Sequence, residues 1–357
     1  MWYRFILFVL SSGLFLTPLC QARVLLKMPV YVPLNLVGLG TTAVDLAREV
    51  EAASDGEIRI KVYGPGKLVP AEEIFNAVNR GQVQAGYITA GYQSGLVGSK
   101  AAFFSSIPFG PDAPEYLAWI YHGDGRKLWQ AMYDEAGFEV HSIPCGMLAP
   151  ETSGWFPRPI ETPEDINGLR IRFFGLGALV MEKLGASTSL LAGAEIFPAL
   201  EKGVIDATEF SMPAIDERLG LYKILKYNYF PGWHQQATIL ELLINGDVWN
   251  DKLSGWQRAL MEMACKAAVL DSLALGEAIQ LPVMKRNIEE RGVENRYWTE
   301  TMLQTFKDKW QEVVAEESAK DPGFQKIWDN LSAFRRDYET WNRWAFLPRP
   351  GTKRVQE

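Results

Sequence analysis

The sequence predicts an α/β protein of two lobes, with a long helix laid across them and more helices at the C-terminus. Strand and helix patterns alternate from the start, the alternation restarts after a proline-rich stretch, and one helical pattern then runs on with few breakers. A chain of 357 residues is long for one core and natural for two lobes, and 48% hydrophobic with 22% charged residues describes an ordinary globular protein.

Residues 1–22 read as a cleaved signal peptide. Arg4 gives a positive flank, residues 5–16 an apolar run broken by Ser11, Ser12 and Gly13, and Cys20 and Ala22 the small residues before the cleavage point. The run is shorter than the roughly 20 residues of a bilayer span. An uncleaved anchor is the alternative, because the flank is a single Arg; Thr17-Pro18-Leu19 before Cys20 makes a poor lipobox. Charges break every later apolar stretch, so none is expected to cross a bilayer and the mature protein is expected free in the periplasm.

Residues 42–53 put Val44, Leu46, Ala47 and Val50 on one helical stripe, with Gly56 as the stop. Residues 57–63 alternate strictly, Ile58, Ile60 and Val62 facing inward, as in a strand. Pro70 opens a helix carrying Ile74, Ala77 and Val78, Gly81 closes it, and 83–89 is the next strand. This alternation implies parallel sheet with right-handed crossovers. It restarts in PRPIETPEDINGLRIRFF, with strands at 170–174 and 204–210 and helices at 178–185 and 194–202. The expected division is 23–146 for lobe I, with part of 230–270, and 147–229 for lobe II, with part of the later chain and a cleft between them. A helix over 254–291, ending before Gly292, would run on the order of 50 Å, enough to lie across both. Residues 301–346 are helical and aromatic (Trp310, Trp328, Tyr338, Trp341, Trp344), a pattern of core or interface.

Removing residues 1–22 takes away one Arg and no acid, moving the formal charge from −7 to −8. That argues against a nucleic-acid partner, whose phosphates select basic faces. Cys145 and Cys265 remain in a compartment that permits a disulfide, but their spacing does not establish one. Residues 38–43 fit a G-x-G-x-x-A dinucleotide fingerprint, yet the next strand ends Val62-Tyr63-Gly64 without the ribose-binding acid. A glycine-turned loop before a helix accounts for it better. His122, His141 and His234 sit in no nucleophile motif and form no H-x-x-x-H metal pair, so no enzyme is expected.

Arg170 and Arg172 share one face of the strand RIRFF, and Ile171 and Phe173 the other. The turn FGLG follows, so Arg172 falls at a strand end, where open α/β sheets bind ligands and where a guanidinium offers a fork to a carboxylate. A sheet edge in water is the alternative. Glu209 ends the strand VIDATEF at a similar place, with a solvated terminus as its alternative. PGWHQQ is dense in side chains that both stack and hydrogen-bond, as a packed loop would also be.

The segments KLVPAEEIFNAVNRGQVQAGY, AFFSSIPFG, SGWF, INGLRIRF, EIFPALEKGVIDATEF and KYNYFPGW follow in that order over most of the mature chain. Together they closely resemble the solute-binding proteins of TRAP transporters (tripartite ATP-independent periplasmic), the DctP family. The branch they most resemble binds 2-oxo acids and similar monocarboxylates with a metal ion. The resemblance implies a periplasmic binding protein fold closing on a small organic acid, with TRAP membrane subunits as partners. It implies no organic cofactor, a cation that is Na⁺ or Ca²⁺, and, as in some relatives, a homodimer through the C-terminal helices.

The resemblance puts the ligand carboxylate on Arg172 and the metal on Glu209 and the backbone carbonyl of Phe210, where the branch usually has Trp. Two departures oppose each other: the branch has Gln where this chain has Glu151, and Glu where it has Gln235, so the oxygen donors and carboxylate count are kept. The implied ligand set is Arg172, Glu151, Phe210, Trp233 and Gln235, and the implied metal set Glu151, Glu209, Phe210 and Gln235. Arg172, two Glu and an acid ligand sum to −2, unfavourable in a desolvated cleft unless a proton or cation enters. A family member turned to a sulfonate or sugar acid is the alternative ligand reading, and a hydrolase on this scaffold the alternative activity.

Overall fold

The computed structural model describes residues 23–347; the expected signal peptide lies outside the described residues. The chain first lays down β1 (Val24–Pro29), α1 (Gly40–Ala53), β2 (Ile58–Tyr63), α2 (Ile74–Asn79), β3 (Ala85–Ile88), α3 (Ser94–Val97), α4 (Ala113–His122), α5 (Gly125–Glu135) and β4 (Val140–Leu148). A second run gives β5 (Gly154–Phe156), β6 (Arg170–Arg172), α6 (Gly175–Lys183), β7 (Ser187–Ser189), α7 (Gly193–Glu201), β8 (Ala207–Thr208), α8 (Pro213–Leu219) and β9 (Tyr227–Phe230). The chain then adds β10 (Thr238–Asn245), α9 (Gly255–Arg291), β11 (Glu294–Tyr297), α10 (Glu300–Lys320) and α11 (Pro322–Ala345).

The sheets are mixed rather than purely parallel. In lobe I, β1 and β2 run parallel, and a parallel bridge from Val30 to Tyr87 carries them toward β3. There the returning strand β10 inserts between β3 and β4, antiparallel to both. In lobe II the order is β11-β9-β5-β8-β6-β7, with β6 parallel to β7 and β8 but β5 antiparallel to β8 and β9. The parallel expectation holds for β1–β2 and for β7–β6–β8 and fails at β10 and β5, whose antiparallel returns helical crossovers do not reveal. Side-chain period alone does not report strand direction. In α1 the buried stripe is Ala43, Leu46, Ala47 and Val50, while Val44 is exposed: positions 43, 46, 47 and 50 keep the helical period and 44 leaves it.

The chain passes between the lobes at residues 149–153, again at 231–237, and a third time along α9. The Ser254 hydroxyl accepts from the Gln257 N–H to cap the start of α9, and Gly292, left-handed at φ 65°, ends it. Its 37 residues span about 55 Å. A disulfide from Cys145 in β4 to Cys265 ties it to lobe I, while Arg286 and Arg291 pair with Glu217 of α8 in lobe II. One 18-residue window of α9 is apolar enough to cross a membrane by length and composition, contrary to the expectation that charges break every such stretch. Its buried positions, among them Met261, Cys265, Ala268, Val269, Ser272 and Gly276, recur at helical spacing against the lobes.

Candidate functional site

The site forms where the two irregular crossings meet the strand ends of lobe II. The crossings are hydrogen-bonded to each other, Glu151 N–H donating to the Gln235 carbonyl at 3.2 Å. A Cβ on Gly232 would stand 2.3 Å from the Glu151 carbonyl oxygen, so the second crossing needs glycine there to lie so close. Glu151 comes from the first crossing, His234 and Gln235 from the second, Arg172 from the end of β6, and Glu209 and Ser211 from the residues after β8. Arg172, Glu209, Glu151, His234 and Gln235 are all buried.

Arg172 and Glu209 form the centre. Arg172 Nη1 donates to both the Glu209 carboxylate and the Glu209 carbonyl, each at 2.8 Å, and Nε donates to the Leu191 carbonyl at 3.3 Å. Nη2 lies 3.4 Å from the Tyr92 hydroxyl. The fork expected to clasp a ligand is therefore largely committed within the protein: Nη2 donates to the Tyr92 hydroxyl, and one of its N–H groups remains. Phe174 N–H donates to Glu209 at 3.0 Å, and the guanidinium lies over the Phe210 ring at 5.1 Å.

Gln235 joins the two glutamates. One terminal atom of its amide lies 2.8 Å from Glu151 Oε2 and 2.9 Å from Glu209 Oε1. Presented as NH₂, that atom donates to both carboxylates. Presented as oxygen, it makes a set of three oxygens that repel one another unless a cation lies among them. His234 adds a nitrogen 3.7 Å from Glu209 Oε1, and ligand atoms of Glu151, Glu209 and His234 all fall within 4.8 Å of one another. Two acids and an amide offer oxygens that suit a hard cation, with an imidazole nitrogen beside them, and the structure brings Glu151, Glu209 and Gln235, three of the residues that the resemblance implies, close together.

The electrostatics run in opposite directions within this group. Burial opposes the charge on Glu209, but Arg172 and His234 beside it hold its carboxyl below the usual range. Burial, reinforced by the charges of Glu209 and Asp216, pushes Glu151 well above that range. Asp216 is also pushed up, by burial and then by Glu209, although Trp155 Nε1 and Ser211 N–H donate to it at 2.7 and 3.1 Å. Arg172 thus supports one ionised carboxylate, and a second requires added positive charge.

Trp233 stands apart from the other candidates. Its indole is buried among Phe109, Phe173 and Phe306, in the aromatic layer behind the site, and does not line the cavity. Phe210 lines the cavity with its ring. Sequence reasoning missed Tyr31, Tyr92, Ser211, Asp216, His234 and Thr238. Only His234 had a signal, as a member of the dense PGWHQQ segment.

Residues 36–321 match the family described as bacterial extracellular solute-binding protein, family 7 (DctP). A monocarboxylate 2-oxoacid-binding periplasmic protein of Nostoc sp. is 32% identical over 298 residues, 84% of this chain and 80% of that protein. A TRAP transporter solute-binding protein from Bordetella bronchiseptica, solved as a mixed-occupancy dimer with calcium and picolinate in one site, superposes with a TM-score of 0.87 at 28% identity, covering 91% of this chain and 95% of that one. A TRAP periplasmic solute-binding protein from Pseudoalteromonas atlantica, with bound sodium and pyruvate, gives a TM-score of 0.85 at 30% identity, covering 90% and 97%. The chain is a solute-binding receptor of a TRAP transporter rather than an enzyme, and it belongs to the DctP family.

Proposed function

We propose that this receptor captures a small monocarboxylate of the 2-oxo acid type, together with Na⁺ or Ca²⁺, in the cleft between its lobes, and delivers it to TRAP membrane subunits. The observation that carries the reading is the Gln235 amide lying between the Glu151 and Glu209 carboxylates beside Arg172. Arg172 Nη2, with the Tyr92 hydroxyl, offers the donors for a ligand carboxylate. Glu151, Glu209, Gln235 and the Phe210 carbonyl would hold the cation, with His234 beside them. A bound cation supplies the positive charge that lets Glu151 and an acid ligand be ionised together. Proteins similar to this one bind pyruvate with sodium and picolinate with calcium, which supports the substrate class.

The same reading takes residues 23–146 and 147–229 as the two lobes and places the mature protein in the periplasm after cleavage before Arg23, which an intact mass beginning at Arg23 checks. A homodimer is part of it, supported by Trp341 and Trp344 lying exposed at the end of α11.

A thermal-shift screen of 2-oxo acids, sulfonates and sugar acids, each with Na⁺, Ca²⁺ or chelator at constant ionic strength, tests the site. A hundredfold excess of a true ligand over its Kd stabilises by about 2.7 kcal/mol. The expected result is a 2-oxo acid shift that collapses in chelator or without Na⁺. Glu151→Gln should weaken that ion dependence, and adding Gln235→Glu should recover part of it. Binding indifferent to every cation would remove the metal from the proposal.

A further inference from the structure

One face of α9 meets neither lobe. Its buried residues, Met261, Cys265, Ala268, Val269, Ser272 and Gly276 among them, pack against the body of the protein. On the far side Trp256, Met263, Leu270, Leu281 and Ile288 are between 43% and 74% exposed, and Ala267 and Ala274 are exposed among them. The steps between the five large side chains are 7, 7, 11 and 7 residues. A straight helix drifts by about 20° over seven residues and back by about the same over eleven, so all five fall within about 40° of arc. The result is one apolar stripe about 48 Å long, where a soluble surface would carry scattered single leucines. It is why an 18-residue window of α9 is apolar while only 28% of that window is buried. The stripe lines neither of the two cavities of the cleft.

The stripe reads alike from both ends about Ser272. Trp256 and Ile288 lie 16 residues to either side of it, Met263 and Leu281 lie 9, and Leu270 and Ala274 lie 2. Two copies set antiparallel across a two-fold axis beside Ser272 therefore bring Trp256 onto Ile288, Met263 onto Leu281 and Leu270 onto Ala274. Such an axis also lays each edge of the stripe on its twin. Lys266, exposed above the Tyr121 ring, and Glu277 share one edge, 6 residues before the centre and 5 after it. Each lysine thus comes opposite the other copy's glutamate, once on either side of the axis. Asp271, on the other edge, stands about 80° from the midline of the stripe and stays in water. A lipid surface is the poorer fit: interfacial helices carry lysine and arginine along their apolar face, and here Asp271, Glu277 and Glu289 stand with Lys266 and Lys285.

Resting on the homodimer reading and fixing where its seam runs, we infer that a second copy of the chain covers this face, α9 lying antiparallel on α9. The bridge at Cys265 fastens the first half of α9 to lobe I, and the pairs of Arg286 and Arg291 with Glu217 fasten its last turns to lobe II. The seam therefore joins lobe I of each copy to lobe II of the other, rather than like lobe to like.

Light scattering coupled to size exclusion, together with cross-linking, tests the seam on the mature protein. Leu270→Asp with Leu281→Asp should give a monomer at concentrations where the unaltered chain is a dimer, with its far-ultraviolet circular dichroism unchanged, since both positions are exposed. Glu277→Lys should raise the dimer dissociation constant by about tenfold, and adding Lys266→Glu should restore it, because two symmetric contacts turn repulsive and then attractive again. Met263→Cys mixed with Leu281→Cys should form a covalent dimer under mild oxidation. Neither variant alone should do so, because each new thiol and its twin stand about 27 Å apart along the seam. A dimer that survives Leu270→Asp with Leu281→Asp, or a mixture that does not cross-link, would overturn this seam and leave the homodimer reading intact. A monomeric unaltered chain would overturn both, and its sedimentation with phosphatidylglycerol vesicles would then assign the stripe to lipid.

Discussion

Glu241 shows how much a single buried group can weigh at the scale of one residue. It sits at the middle of β10, fully buried, with Oε2 accepting from the Tyr133 hydroxyl at 3.1 Å and Oε1 without a partner. Burial pushes its carboxyl up from an ordinary 4.5 to about 7. Below pH 4.5 the native and unfolded chains both hold the proton. Between there and pH 7 only the native chain does, so stability falls as pH rises through this window and levels off above it. The two and a half decades between those values correspond to about 3 kcal/mol. Glu241→Gln should therefore stabilise at pH 8 by about 3 kcal/mol more than at pH 5, as measured by urea unfolding at both. An equal effect at the two pH values would refute the assignment. The sequence reading did not announce this group, because it assigned no strand to TILELLIN and so gave Glu241 no face. Arg172 and Glu209 were legible, since one closes a short strand and the other directly follows one; Asp216 and Tyr92 were not, since the short helical segments that carry them were not read from the sequence. Strand-end logic placed the guanidinium, but only coordinates reveal that Glu209 and Leu191 already take three of its donors.

Among the elements, α9 was the most legible and the sheets the least. A helix is a local object, and the expected 254–291 differs from the observed Gly255–Arg291 by one residue because Ser254 and Gly292 mark its ends. The expected strand at 204–210 survives only as Ala207–Thr208, since pairing depends on partners far away in sequence. The disulfide belongs to this scale too, because it fastens α9 to β4 across a separation of 120 residues. The two cysteines alone left it open. In the chain-entropy picture a cross-link over a loop of this length removes roughly 4–5 kcal/mol of freedom from the unfolded chain, with 2–5 kcal/mol the usual measured loss for a native bridge. Cys145→Ala with Cys265→Ala should lower the unfolding free energy by about 2–5 kcal/mol in denaturant titration while leaving the far-ultraviolet circular dichroism unchanged. Stability equal to that of the parent chain would show that the bridge closes no more of the unfolded chain than its neighbours already do.

For the molecule as a whole, the helices after β11 connect more than they cover. The α10 segment lies beside lobe II, where Lys183 of α6 pairs with Glu316. α11 lies against lobe I, where Trp119 Nε1 donates to Asn330 at 2.9 Å and Arg335 pairs with Glu115. Past Arg335 the contacts with the body thin out. Trp341 is 62% exposed and Trp344 83%, and Phe346 and Leu347 continue the apolar end. Two indoles held in water on the last turns of a helix bury nothing that would stabilise those turns, and an apolar patch of this kind marks an interaction site. A second copy of the chain would cover both ends at once, since an isologous contact sets each patch against its twin or its neighbour. Light scattering coupled to size exclusion should then give twice the mass of the mature chain, and Trp341→Ser with Trp344→Ser should return it to a monomer that still binds its ligand, because these residues lie outside both cavities of the cleft. A monomeric mass for the unaltered chain at micromolar concentration would leave the α11 surface to the membrane subunits instead, and the homodimer would be withdrawn.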